Sequence, residues 1–256
     1  MSLLSNGIKR FPALLTLLAS LFTVACNPYN QKRPAPLLVA AASDLVKVSV
    51  PLGTAFERSL GANITFSFGP SGQLEQHIRH GAPYDLYLPA ARTYGESLHR
   101  DALVEGEVLV YALGRLVAWS KTLNLSSLDD LREERVGRIA LANPQYAPYG
   151  LAAQQALQSA GLWQILQPKL IYAESVSHAF QMAETGNADV VLTALALVRD
   201  SDRPFLVLNQ KLYAPIEQAA VVLRSSPNPQ AAKAFQEFLR GEEARNILAA
   251  YGFGHP

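Results

Sequence analysis

From residue 37 onward, continuous apolar runs alternate with stretches of helical spacing. LLVAAAS (37–43) is apolar up to its closing Ser43, as expected of a parallel strand covered on both faces. Leu45, Val48, Leu52, Ala55, Phe56 and Leu60 then recur at helical spacing. Pro51 inside that run predicts a kink or a late helix start. Next come a strand over 63–68, a turn at Gly69-Pro70-Ser71-Gly72, a helix over 72–80 and a strand DLYLPA over 85–90. Such alternation predicts βαβ units on a parallel sheet.

A second tract begins near Leu109. VLVYAL (108–113) and LVAWS (116–120) are strand-like, with Gly114 between them. Ser126 to Leu131 reads as a short capped helix. The pattern then predicts a strand over 137–144, a helix over 149–161, a strand over 169–175 and a helix over 176–186. VVLTALAL (190–197), FLVLN (205–209) and QAAVVL (218–223) are further strands, and helices over 231–241 and 242–252 end the chain. No repeat of fixed period interrupts this order.

Four strand-to-helix junctions look alike, at Ser43, Ser71, Tyr149 and Ser175-Val176. The start of a helix presents unpaired N–H groups and the positive end of its dipole, so it favours an anion. Any one such Ser reads equally as an ordinary N-cap. In a single doubly wound sheet only neighbouring turns converge. Two sheets facing each other across a cleft bring in two turns from each side, and 256 residues suffice for that. The chemistry would be capture of a tetrahedral oxyanion by N–H donors and Ser hydroxyls. No Lys or Arg adjoins these positions, except Lys47 one turn beyond Ser43.

These residues carry a resemblance to the periplasmic molybdate-binding proteins of ABC transporters, within the type II solute-binding fold. The matching segments are VAAASDL (39–45), SFGPSGQLEQHIRHGAPYDLYLPA (67–90), ANPQYAPYGLAAQQAL (142–157), KLIYAESV (169–176) and LRGEEARNILAAYGF (239–253). The resemblance implies an α/β fold of two Rossmann-like lobes, joined by a two-segment hinge with the ligand cleft between them. The expected lobes are 37–115 with 222–256, and 116–221, with the crossings near Leu116 and Val221. By the same resemblance, Ser43 and Ser71 give the oxyanion hydroxyl and backbone donors, while Tyr149 and Val176 give backbone N–H groups. One departure stands out. Where the family often ends the 190–194 strand in a Tyr whose hydroxyl reaches the anion, this chain has Ala194, with Thr193 beside it. The phenol of Tyr149 is the candidate replacement from the opposite wall.

The implied ligand is molybdate or tungstate, with no cofactor. The implied role is that of a monomer that hands its anion to the membrane permease of an ABC importer. Sulfate, phosphate, phosphonate or a small organic acid on the same fold is the alternative, as is a tethered sensor without a transport role. An enzyme is not expected, because GPSG lacks the G-x-S-x-G spacing of a nucleophile elbow and no P-loop occurs. His77 and His80, three apart on one helix, are a candidate metal pair, but no acid or Cys completes a site.

The N-terminus adds a location. Lys9 and Arg10 precede the apolar run LLTLLASLFTVA (14–25) and then Cys26, the only cysteine. This reads as an export signal over 1–26, too short for a membrane span, placing the protein outside the cytoplasm of a bacterium. Cys26 resembles the lipidated residue of a bacterial lipoprotein, although Thr23 stands where that pattern prefers Leu, so lipidation and ordinary cleavage both stay open. Residues 27–36, with three prolines, read as a tether. Removing Met1–Ala25 leaves 20 basic against 21 acidic side chains, a net charge of −1. That balance argues against a nucleic-acid surface, which would carry a basic excess.

Overall fold

The computed structural model describes residues 36–61 and 63–256. The expected signal segment, Cys26 and the tether through residue 35 lie outside the described residues. The chain opens with β1 (Leu37–Ala42), α1 (Ser49–Leu60), β2 (Ile64–Gly69), α2 (Ser71–Arg79), β3 (Leu86–Leu88), α3 (Arg92–Arg100) and β4 (Val104–Gly114). Its middle holds β5 (Leu116–Trp119), β6 (Ile139–Ala142), α4 (Pro148–Ser159), α5 (Trp163–Leu166) and β7 (Leu170–Ala173). There follow α6 (Val176–Glu184), β8 (Val190–Ala194), α7 (Leu195–Val198) and β9 (Phe205–Val207). β10 (Ile216–Leu223), α8 (Pro229–Arg240) and α9 (Glu242–Ala250) end it.

The strands form two five-stranded sheets, ordered β2-β1-β3-β10-β4 and β7-β6-β8-β5-β9. The two are built alike. β1 pairs in parallel with β2 and β3, and β6 pairs in parallel with β7 and β8. Each sheet is then extended by antiparallel strands. The helices after β1, β2, β6 and β7 therefore start at equivalent sheet edges, the carboxyl ends where ligands bind in open α/β sheets. Packing follows the apolar pattern. Phe56 of α1 meets Phe235 of α8 edge to face at 4.8 Å on the first sheet, and Trp119 meets Phe180 at 5.2 Å on the second.

Two boundaries differ from those expected, and one left open is settled. Residues 216–221, expected in the second lobe, belong to the first sheet. β10 bonds to β3 on one side and β4 on the other, and cutting it at 221 would strip bonds from a buried central strand. The second crossing between sheets accordingly precedes Ile216 rather than lying near Val221. LALV (195–198) leaves the strand at Ala194 and turns helical. Finally, Pro51 produces a late start, not a kink. A 3₁₀ turn fills Ser43–Leu45 and α1 begins only at Ser49, which puts Pro51 in the first turn, where no N–H is missed.

Candidate functional site

Ser43, Ser71, Tyr149 and Val176 line one cavity, together with Ala42, Asp44, Gly69, Pro70, Ala90, Ala147 and Pro148. The cavity is small: the centre of a water-sized sphere has about 10 Å³ to move in, roughly the room of one water molecule. Among the described residues no Lys, Arg or His lines the cavity, and the one ionisable acid there is Asp44.

Each wall is built by local sequence. On the first sheet, β2 ends at Gly69, extended Pro70 precedes α2, and Leu74 N–H closes the first turn on the Pro70 carbonyl. Ser71 is the first helical residue and makes no capping bond. Instead its Oγ accepts from Ala90 N–H at 3.1 Å, and its carbonyl accepts from the Tyr87 hydroxyl at 2.6 Å. With Oγ already accepting, the hydroxyl proton is left to donate elsewhere. Ser43 repeats the arrangement across the cleft, where its Oγ accepts from Ser177 N–H of α6 at 3.4 Å. Here only a 3₁₀ turn follows, so three α-helix N-termini face the cavity instead of the four expected.

On the second sheet, Asn143 ties the turn before α4. Its Oδ1 accepts from Gln145 N–H at 3.0 Å and its carbonyl from Ala147 N–H at 3.0 Å. Pro148 then opens the helix, a favoured first position. Gly150 lets α4 press onto the end of β6, since a Cβ there would stand 2.2 Å from the Ala142 carbonyl oxygen. The adjoining Tyr149 N–H lies in the first turn, without an intrahelical acceptor. Before α6, Ser175 Oγ accepts from His178 N–H at 3.2 Å, and Val176, which lines the cavity, opens the helix with an N–H that has no intrahelical acceptor. A further bond joins the walls, from Gly72 N–H of α2 to the Tyr146 carbonyl at 2.9 Å. The two sheets are closed on one another.

Ala194 and Thr193 are fully buried and do not line the cavity. Thr193 Oγ1 donates to the Val176 carbonyl at 3.4 Å, so it braces the start of α6. The phenol of Tyr149 runs past the cavity to the crossing between sheets, where a Cβ on Gly114 would stand 2.3 Å from its oxygen. Lys47 pairs with Asp200 and lies 5.4 Å from the centre of the Phe180 ring, outside the lining. His80 Nδ1 is held by the Gln76 carbonyl at 2.7 Å. Asp85 anchors its strand, accepting from Leu38 N–H, Ser226 Oγ and Asn228 N–H. Asp44 was absent from the sequence reading. The signal for it was a carboxylate placed directly after a strand-ending Ser in an apolar tract.

A family model described as bacterial extracellular solute-binding protein matches residues 37–254. The molybdate-binding protein ModA of Rhodobacter capsulatus is 34% identical over 223 residues, 85% of this chain and 87% of its own length. ModA of Azotobacter vinelandii is 33% identical, covering 86% of this chain and 90% of that one. The solved periplasmic molybdate-binding protein of Azotobacter vinelandii superimposes with a TM-score of 0.82 at 30% identity, covering 86% of this chain and 99% of that structure. With its two equivalent sheets and the cleft between them, the chain belongs to the bacterial extracellular solute-binding family, alongside the molybdate-binding proteins.

Proposed function

We propose that the protein captures molybdate or tungstate outside the cytoplasm and delivers it to the membrane permease of an ABC importer. One observation carries this reading: two serine hydroxyls and the N-termini of α2, α4 and α6 converge from both sheets on a small cavity with no cationic lining. Preformed neutral donors replace the hydration shell of a tetrahedral dianion, and the helix ends add positive potential without a mobile charge. The direct donors are Ser43, Ser71 and the N–H groups of Tyr149 and Val176. Thr193 and Ala194 act only behind α6, and the Tyr149 phenol is not a donor to the anion. The similarity to ModA proteins supports molybdate over sulfate or phosphate.

The cleft opens about a hinge through 114–116 and 208–215, making the lobes 37–114 with 216–256, and 116–215. Anion binding favours the closed form because only there do donors from both lobes reach one ion. The protein acts as a monomer with no catalytic step, and the signal of 1–26 delivers it across the membrane, with Cys26 as the lipid anchor where it is retained.

A thermal-shift panel with molybdate, tungstate, sulfate, phosphate and chromate tests the substrate. A ligand at a hundred times its dissociation constant adds about 2.7 kcal/mol, a rise of roughly 5–10 °C for a domain of this size. Molybdate and tungstate are expected to give it. A rise with another anion alone overturns the substrate, and no rise with any of them favours a sensor role.

A further inference from the structure

The one charged residue lining the cavity is a carboxylate, the wrong sign for an anion site. Asp44 is fully buried. Its Oδ2 accepts from Gln218 Nε2 at 2.7 Å, while its Oδ1 has no hydrogen bond of ordinary geometry among the described residues, with the Tyr149 phenol nearby. Three more buried polar atoms around it are also without partners: the hydroxyls of Tyr111 and Tyr149, and Gln218 Oε1. They come from four elements, the turn after β1, then β4, α4 and β10. Native interiors rarely leave such atoms unpaired, and groups of them call for an explanation.

Among the described residues, no cation answers the carboxyl. The titratable groups facing it are Tyr111 and Tyr149, both held well above their ordinary range by burial and by Asp44 itself. Tyr213 lies beyond Tyr149, with Arg115 beside it. Lys47, on the same turn, is taken by Asp200, and His178 of α6 is exposed. Burial pushes the Asp44 carboxyl up to about 7, against weaker lowering by Tyr149, its own backbone N–H and Gln218. A dianion in the same cavity acts in the same direction, since like charge disfavours ionisation.

We propose that Asp44 is a proton-carrying positioning residue, held as the neutral acid in the closed, anion-loaded protein and ionised when the cleft is open. The inference rests on the oxyanion reading of the cleft. Parting the sheets removes α4 and Tyr149 from above Asp44 and lets water reach it, returning it to the ordinary carboxylate range. On closure the carboxylate takes one proton from solvent and becomes a carboxylic acid. The repulsion between two negative groups disappears, and the new O–H supplies a donor beside Gln218 Oε1, which can only accept. Each captured anion therefore brings one proton, and affinity falls about tenfold per pH unit between the open and closed pKa values.

Titration calorimetry with molybdate from pH 6 to 8.5, in paired buffers of different ionisation heat, counts that proton. The expected result is uptake of about one proton per anion at pH 6.5 and an affinity roughly tenfold lower at pH 7 than at pH 6. Asp44→Asn is expected to take up none and to flatten the pH profile. Binding without proton uptake overturns the inference and leaves the transport reading standing, as does a variant as steep as the wild type. If the variant does not fold, the proton count on the wild type decides alone. Silence with molybdate at every pH defeats the transport reading and this inference with it.

Discussion

At the scale of single residues, the four anchor positions were legible through their number and order, since each junction alone reads as an ordinary capped turn. Their second partners were not. Nothing in the spacing of 71 and 90 announces that Ser71 Oγ accepts from Ala90 N–H, because that contact depends on two strands lying side by side. The seat of the Tyr149 phenol is hidden in the sequence for the same reason, since Gly114 marks it only once β4 and α4 are placed. Asp44 follows a similar logic and has a consequence for folding. Its folded-state pKa, about 7, lies above the ordinary 3.8. Below pH 4 both states hold the proton and the contribution to stability is fully present. As pH rises from 4 to 7 only the unfolded chain releases it, so stability falls, by on the order of 4 kcal/mol at the full shift, and then levels. Asp44→Asn is expected to remove that decline, making the variant more stable than the wild type at pH 8 and no more stable at pH 4. Urea unfolding of the two proteins saturated with molybdate, and so closed, across this range reads the difference. Parallel curves would mean that the carboxyl is ionised in the closed protein.

Among the elements, those with a strong apolar period were found within a few residues, whereas polar or very short ones were missed. α3, RTYGESLHR, buries only Gly95 and Leu98, too few positions to set a helical rhythm. α7 is buried on every side, so LALV shows no period and reads as a continuation of β8. β10 was found but cut short, because composition does not show which sheet a strand joins. The caps decide how the site is held. Ser175 Oγ takes His178 N–H, next to Val176, which lines the cavity. Ser175→Ala is expected to cost about 1 kcal/mol of stability, as a lost N-cap does. It should also weaken molybdate binding severalfold through a looser start to α6, with the steepness of the pH dependence unchanged. Denaturant midpoints and calorimetry on one preparation read both. An unaltered affinity would show that Val176 keeps its place without the cap.

For the whole molecule, a cleft that opens as proposed would have its open and closed forms balanced by contacts that exist only when the lobes meet. Lys47 makes two such contacts from the first lobe, an ion pair with Asp200 and an approach over the Phe180 ring at 5.4 Å. Asp200 is two-thirds exposed, so the pair contributes at most about 1 kcal/mol, and the ring contact about 0.5–1 kcal/mol. Losing both shifts the population toward the open form and weakens anion binding by about two- to tenfold. Lys47→Ala alone is ambiguous, because removing a cation near the cleft also weakens attraction for an anion. Asp200→Asn separates the two causes. It breaks the ion pair while making the surroundings less negative, so long-range electrostatics predict tighter binding and the contact predicts weaker binding. The expected outcome is weaker molybdate binding in both variants, with melting temperatures of the ligand-free proteins nearly unchanged, because the open form does not make these contacts. Tighter binding by Asp200→Asn would show that charge, not lobe contact, governs this edge of the cleft. A drop in ligand-free melting temperature with unchanged affinity would place Lys47, Asp200 and Phe180 on one rigid body.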